Sequence, residues 1–159
     1  MADSHDNLPR IRQAVEFFNE RGVALVFHAG DFIAPFVGRE LRHLACPLVG
    51  VFGNNDGERT GLRNMMRKLG EIHDPPFFWR HNELRVLLSH VPLDEVGLEG
   101  AADLVIWGHT HEPAVRREAG WLLVNPGECG GWLTGRATVA WADLASREAR
   151  IQELDDSVE

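Results

Sequence analysis

The sequence of 159 residues has only two cysteines, no long apolar run and a minority of basic side chains. Cys46 and Cys129 stand far apart, which is typical of free thiols in a reducing compartment and argues against a disulfide framework. No apolar run approaches the ~18 residues of a membrane span, and no signal peptide is recognisable. These absences predict a soluble, cytoplasmic protein that does not enter membranes.

The excess of acidic residues limits which kinds of molecule the protein is expected to bind. The chain carries 16 Lys and Arg against 24 Asp and Glu, for a formal net charge of -8 at pH 7. Such a balance argues against a nucleic-acid-binding surface, although bound cations can still attract a small anionic substrate. The length and the hydrophobic content of 44% predict one domain over residues 1–159.

Helical and strand-like patterns alternate in the first half of the chain, and strand-like patterns dominate the second. We predict helices over 8–22, 34–44 and 59–69, and strands over 23–27, 48–52, 77–79, 84–88 and 104–107. A linker or short helix over 93–100 precedes a hairpin of 114–117 with 121–124 and strands at 137–141 and 149–154. The pattern predicts an α/β sandwich with a mixed sheet.

Side chains of metal-ligand type follow the predicted strands. His109 and His111 come after the strand 104–107, and in an extended segment their spacing places both imidazoles on one side of the chain. Taken alone, the pair is equally compatible with a polar turn. Ligands of open α/β sheets bind beyond the carboxyl ends of strands. Further candidate ligands lie at such ends or at the mouth of the first helix: Asp3, His5, Asp31, Asn54 and His90.

The donor set indicates two metal ions. Two carboxylates, one amide and four imidazoles are too many for one zinc, and they suit two divalent ions that share a carboxylate. Such a pair clamps a phosphoryl group while a metal-held hydroxide attacks phosphorus in line. We expect Mn²⁺, with Ni²⁺, Fe²⁺, Co²⁺ and Zn²⁺ as alternatives. A glycine precedes three of the ligands and lets them approach closely, in Gly30-Asp31, Gly53-Asn54 and Gly108-His109.

The ordered motifs resemble those of the calcineurin-like metallophosphoesterases, in particular the small YfcE-type phosphodiesterases. The motifs are Asp3-Ser4-His5, Gly30-Asp31, Gly53-Asn54, His90, Gly108-His109-Thr110-His111 and Asn125-Pro126-Gly127. The resemblance runs from Asp3 to about Leu154 and implies a four-layer α/β/β/α sandwich with mixed sheets. It also implies that Asp3, His5, Asp31 and His111 hold one metal ion. The other ion would be held by Asp31, Asn54, His90 and His109, so that Asp31 bridges.

The same resemblance implies a function. It implies a dinuclear phosphoesterase, first of all a phosphodiesterase, that acts on a small phosphate ester through Asn54, Asn55 and His109. A phosphomonoesterase or nucleotidase on the same site is one alternative. A non-catalytic protein-binding scaffold is another, because a vesicle-sorting subunit keeps this fold. The complete ligand set argues against the scaffold, and a homo-oligomer stays open.

Three positions depart from the family pattern. Only Met1 and Ala2 precede Asp3, so we expect a missing or truncated first strand that leaves Asp3 and His5 poorly held. Asn55 stands where many relatives have a histidine that assists the leaving group. An asparagine can bond a phosphate oxygen but cannot act as a general acid. Glu128 stands where relatives often carry a small hydroxyl residue, and we expect it to face away from the anionic substrate or to bind a partner.

Other residues receive structural or open assignments. We expect His28 to support the loop that contains Asp31, and Asp56 to cap the third helix. His43, His73 and His81 are expected at the surface. Trp132 follows two glycines, and we consider both a packing role and a place on a pocket or interface.

Overall fold

The computed structural model describes residues 1–93, 102–118 and 120–154. The helices are α1 (Leu8–Arg21), α2 (Gly38–Leu41, preceded by a 3₁₀ turn at Pro35–Val37) and α3 (Arg59–Met66). The strands are β1 (Val26–His28), β2 (Leu48–Val51), β3 (Gly70–His73), β4 (Phe77–His81), β5 (Leu84–Leu88), β6 (Leu104–Ile106), β7 (Ala114–Glu118), β8 (Trp121–Asn125), β9 (Thr138–Asp143) and β10 (Glu148–Glu153). The linker or helix predicted over 93–100 lies, beyond its first residue, outside the described residues.

The strands form two main sheets and a separate hairpin. One sheet is parallel, in the order β1-β2-β3. The other is mixed, in the order β4-β5-β6-β8-β7, with β5, β6 and β8 parallel and β4 and β7 antiparallel at its edges. Strands β9 and β10 form an antiparallel pair. The predicted mixed α/β architecture is confirmed.

The core is divided among three apolar clusters, and these define the layers. In the first, the apolar stripe of α1 (Ile11, Ala14, Val15 and Phe18) joins residues of α3 and the first sheet. In the second, Val49 and Val51 of β2 meet Val86, Leu104 and Val124 of the second sheet. In the third, Leu87, Val105 and Leu123 lie among the buried residues that point away from the first sheet. Helices, first sheet and second sheet are thus three of the four expected layers.

None of the described helices combines the length and the apolar character that crossing a bilayer requires. The longest of them, α1, has 14 residues and an exposed polar side. In the described ranges, no helix covers the outer face of the second sheet.

One predicted helix is shorter than expected, and one observed strand has no counterpart among the predicted elements. The helix predicted over 34–44 is only a 3₁₀ turn followed by the four residues of α2. The side chain of Asn19 donates to the carbonyl of His43 and accepts from the N–H of Ala45, both at 2.8 Å, and these bonds turn the chain toward α1. Strand β3 was not predicted, because Ile72 is its only strongly apolar residue and it lies at an edge of the sheet.

The expectation that Asp3 is poorly held is wrong. Residues 1–3 are not assigned to a strand, yet backbone hydrogen bonds tie them to both sides. The carbonyl of Met1 accepts from Ala29 at 2.9 Å, and the N–H of Asp3 donates to Gly30 at 3.0 Å. On the other side, the carbonyl of Ala2 accepts from Cys129 at 3.0 Å. Asp3 is therefore fully buried between two loops of the core.

Candidate metal centre

The predicted ligands converge at the carboxyl ends of strands from both main sheets, as the strand-end rule predicts. Asp31, Asn54, His90 and His109 follow β1, β2, β5 and β6, and Asp3 and His5 join them from the chain's first residues. One group that could hold an ion is Asp3, His5 and His111, and a second is Asp3, Asp31 and His90. Within each group the ligand atoms all lie within 4.8 Å of one another.

The first half of the centre is a gap between unpaired ligand atoms. His5 Nε2 lies 3.8 Å from Asp3 Oδ1 and 3.5 Å from Asp31 Oδ2, and His111 Nε2 lies 3.6 Å from Asp3 Oδ1. Asp3 Oδ1 and His5 Nε2 are buried and have no hydrogen-bond partner among the described residues. Buried polar atoms are rarely left in this state, and a divalent cation between them would satisfy both. The residues present therefore fit a metal ion.

The second half is built around Asn54. Its Oδ1 lies 2.7 Å from His90 Nε2 and 2.9 Å from His109 Nδ1. His90 Nε2 is also 3.6 Å from Asp31 Oδ2. The same oxygen of Asp31 therefore faces His5 on one side and His90 on the other.

The carboxylates also set the protonation of His5. The nearby Asp3 carboxylate is the main cause that raises the pKa of His5; burial opposes this rise, and the charges of Asp31 and Glu128 add to it. The buried negative charge around His5 is thus felt by its imidazole.

Most of the candidate ligands have a backbone conformation that residues other than glycine rarely adopt. Five of the seven have positive φ: Asp3 (50°), His5 (42°), Asp31 (60°), His109 (66°) and His111 (61°). Such conformations cost free energy and persist where the surroundings impose them, which is common at functional sites. Here the N–H of His5 donates to the carbonyl of Asp31 at 3.1 Å, which fixes one of these turns.

The glycines that precede the ligands have the predicted role. A Cβ at Gly108 would lie 2.6 Å from Asp3 Oδ2, and one at Gly53 would overlap Asp31 Oδ1. Any side chain at these positions would therefore displace a ligand carboxylate.

Asp56 is the main residue of the centre whose role the sequence did not reveal. It is buried, and its carboxylate accepts the N–H groups of Ile33 (2.7 Å), Gly53 (2.7 Å) and Asp31 (3.1 Å). The prediction that it caps the third helix is wrong, because Glu58 occupies the cap position of α3. Asp56 instead joins the loops after β1 and β2. In the sequence, an aspartate just before a helix cannot be told from a residue that caps that helix.

Asn55 contacts a candidate ligand. Its N–H donates to Asp31 Oδ1 at 2.9 Å, and its side-chain Nδ2 donates to Asp31 Oδ2 at 2.8 Å. The amide therefore orients the carboxylate that both halves of the centre share. Its predicted bond to a phosphate oxygen stays a prediction.

Glu128 lies at the ring nitrogen of His111 opposite the one that faces Asp3, and its orientation away from the substrate stays a prediction. The residue is 0% exposed, and its Oε1 lies 3.4 Å from His111 Nδ1. Burial raises the pKa of the Glu128 carboxyl, but hydrogen bonds from Leu133 and Thr134 outweigh this effect and hold the pKa below its usual value. A fully buried carboxylate is also unavailable to a binding partner.

Two aromatic residues lie beside the centre. Trp132 is 65% exposed, and its Nε1 donates to the carbonyl of His5 at 3.1 Å, so its ring lies at the edge of the centre. His28 is buried, stacks on Phe32 and lies 3.0 Å from the hydroxyl of Ser4. Since Ser4 also contacts the carbonyl of Asp31 at 3.4 Å, the predicted supporting role of His28 is confirmed.

Comparison with known proteins agrees with this geometry. Residues 1–147 match the family model of the calcineurin-like phosphoesterase superfamily domain. The chain belongs to this superfamily. It is 38% identical to the phosphodiesterase MJ0936 of Methanocaldococcus jannaschii, in an alignment that covers 94% of each protein.

Solved structures of two phosphoesterases superpose on the chain. A novel archaeal phosphodiesterase matches with a TM-score of 0.88 and 37% sequence identity over 97% of both chains. YfcE, a phosphoesterase from E. coli, matches with a TM-score of 0.61 over 97% of both chains. Its sequence identity of 19% supports the shared fold alone.

Proposed function

We propose that this calcineurin-like protein is a metal-dependent phosphodiesterase that uses two divalent cations to hydrolyse a small phosphate ester. One observation carries the proposal: Asp3 Oδ1 and His5 Nε2 are buried, lack hydrogen-bond partners within residues 1–93, 102–118 and 120–154, and face each other across 3.8 Å. This arrangement is costly in a protein that does not bind a cation. The similarity to phosphodiesterases supports the reaction class.

The proposed ligands form two sets that share Asp31. The first set is Asp3, His5, Asp31 and His111, and the second is Asp31, Asn54, His90 and His109. Imidazole, carboxylate and amide donors without thiolate suit Mn²⁺, and also Ni²⁺, Fe²⁺, Co²⁺ and Zn²⁺. When bound, such cations lower the pKa of water and neutralise charge on phosphate oxygens.

The chain's own side chains then determine orientation and leaving-group preference. Asn54 and His109 are on the exposed side of the centre, where a phosphate group would enter. Asn55 occupies the position from which a histidine could protonate a leaving oxygen, and its amide has no acidic proton. We therefore expect esters of acidic alcohols, whose oxygen leaves without protonation, to be hydrolysed faster than simple alkyl esters.

The test is hydrolysis of bis(p-nitrophenyl) phosphate by metal-stripped protein, with and without added Mn²⁺. We expect turnover only with the metal. His109→Ala should lower kcat by at least about 100-fold, as loss of an electrostatic contact to the reacting group commonly does. His43→Ala, which removes an exposed histidine from the segment after α2, is the matched control and should keep wild-type turnover.

Other outcomes would favour the other functions. Faster turnover of p-nitrophenyl phosphate than of the diester would indicate a monoesterase. Absence of turnover with all five metals, in a protein that binds them, would contradict the proposal and favour a protein-binding role.

A further inference from the structure

Glu128 is a buried carboxylate beside the candidate centre that belongs to neither proposed ligand set. It follows β8 in the segment 125–130, and its side chain is 0% exposed. A carboxylate without a cationic or hydrogen-bonding partner would be very costly at such a position. Its partners therefore indicate why it is there.

One side of the carboxylate is held by the segment 132–134. Oε1 accepts the N–H groups of Trp132 at 2.7 Å and Leu133 at 3.0 Å. Oε2 accepts the N–H and the hydroxyl of Thr134, both at 3.0 Å. These donors fix the position of both oxygens and stabilise the ionised form.

The other side of the carboxylate faces His111. Oε1 lies 3.4 Å from Nδ1 of the imidazole, and this Nδ1 is buried and has no hydrogen-bond partner in the described part of the chain. The opposite ring nitrogen, Nε2, lies 3.6 Å from Asp3 Oδ1. The ring of His111 is thus placed between an outer carboxylate and the proposed metal position.

His90 has a comparable arrangement. Its Nδ1 lies 2.8 Å from the carbonyl oxygen of Ala29, while its Nε2 faces Asn54 and Asp31. Each of these two histidines therefore has an oxygen acceptor behind it and carboxylate or amide oxygens in front of it. An acceptor behind the ring holds the proton on the rear nitrogen and so leaves the front nitrogen free to bind a cation.

We propose that Glu128 is a positioning residue for His111. Its Oε1, 3.4 Å from Nδ1, is placed to accept the proton of that nitrogen. The lone pair of Nε2 then points into the gap beside Asp3, where it can bind a divalent cation. A neutral imidazole has only one such lone pair, so the tautomer determines whether His111 can act as a ligand there. This inference rests on the proposed metal-dependent function.

The tautomer can be read in the wild-type protein without any variant. Long-range ¹H–¹⁵N correlation spectra of the metal-free protein at pH 8 should show His111 with its proton on Nδ1. The spectrum is assigned by comparison with His111→Ala. A proton on Nε2 would overturn the inference. The measurement does not depend on activity, so it also separates this inference from the proposed function.

Metal affinity tests the energetic consequence. Titration calorimetry of metal-stripped protein with Mn²⁺ should show about 10-fold to 100-fold weaker binding at one site in Glu128→Gln, the usual range for loss of such an outer partner. Thr134→Val is the matched control, because it removes a donor to the same carboxylate but leaves the face toward His111 intact. We expect Thr134→Val to change the affinity less than about threefold.

A double-mutant cycle tests whether Glu128 affects Mn²⁺ affinity through His111 or only through the segment 132–134. In the His111→Ala background, Glu128→Gln should cause no further loss of Mn²⁺ affinity. An equal loss in both backgrounds, or equal losses in Glu128→Gln and Thr134→Val, would overturn the inference. Absence of Mn²⁺ binding to the wild-type protein would instead contradict the proposed function.

Discussion

The backbone N–H of His109 donates a hydrogen bond of 2.9 Å to Oδ2 of Asp3. The bond joins two candidate ligands that are separated by 106 positions in the sequence. It uses one carboxylate oxygen of Asp3 and leaves the other, Oδ1, facing His5 and His111. The same carboxylate therefore holds the loop after β6 and takes part in the proposed metal site.

Asp3→Asn should change stability in opposite directions without and with metal. An amide oxygen can still accept from His109, whereas the charge is lost. In chelator, the carboxylates of Asp3 and Asp31 repel each other within a 4.8 Å cluster, so the variant should be more stable by about 1 kcal/mol. Mn²⁺ at 100 times its Kd for the wild type should raise the free energy of unfolding of the wild type by about 2.7 kcal/mol. The variant should show only a small part of this increase.

Urea unfolding with and without Mn²⁺ measures both effects. Mg²⁺-free buffer with a non-coordinating salt at the same ionic strength is the control for general screening. Equal metal-induced gains in the two proteins would contradict the assignment of Asp3 as a ligand.

Asp56→Ala should destabilise the protein, because Asp56 is the shared acceptor of three backbone N–H groups. Leaving those donors buried and unsatisfied should cost about 3 kcal/mol in the free energy of unfolding. Asp143→Ala is the comparison: its carboxylate also accepts a backbone N–H, from Ala145 at 2.9 Å, but in an exposed turn. That change should cost less than about 1 kcal/mol. Similar losses of stability in the two variants would show that the buried hydrogen bonds of Asp56 are not what stabilises the protein at this position.

The two cysteines should differ in reactivity. Burial raises the pKa of the Cys129 thiol to about 12, and burial also raises the pKa of the half-buried Cys46. Since only the thiolate attacks, at pH 8 about one Cys129 in ten thousand would be reactive even if reagent could enter. Ellman's reagent should therefore modify Cys46 slowly in native protein and both cysteines in denaturant. In the Cys46→Ser variant only the Cys129 thiol remains. If Ellman's reagent modified this variant in its native state, Cys129 would not be the protected thiol.

Acid should destabilise the protein partly through His28. Burial, together with the positive charges of the N-terminus, His90 and His5, holds the pKa of His28 well below 6.5. In the unfolded chain His28 binds a proton below about pH 6.5, while in the folded chain it stays neutral. The contribution of His28 to the free energy of unfolding is therefore fully present above pH 6.5. It is lost as the pH falls from 6.5 toward the folded pKa, by up to about 1.4 kcal/mol per pH unit.

His28→Gln should remove this component. Urea unfolding between pH 5 and 6.5 should show a shallower loss of stability in the variant than in the wild type. Above pH 7.5 the two proteins should respond equally to pH, which serves as the internal control. Parallel curves over the whole range would contradict a buried neutral His28.

Much of the fold follows from local patterns. The strand 84–88 was predicted with the bounds observed for β5, Leu84–Leu88, and α1 was predicted to within a residue of its end. These elements have strong periodicity or long apolar runs. The local pattern misses the weakly apolar β3, which pairs with β2, and it overestimates the length of α2, after which Asn19 binds the chain.

The sequence by itself determined which side chains are available for metal binding and at which strand ends they stand. Residue type and spacing suffice for this, because parallel strands bring their carboxyl ends to one edge of a sheet. Only the tertiary structure decided the roles of Asp56, Asn55 and Glu128. Each of these acts through hydrogen bonds to groups that other segments of the chain supply, and such contacts leave no periodic or compositional signal in the sequence.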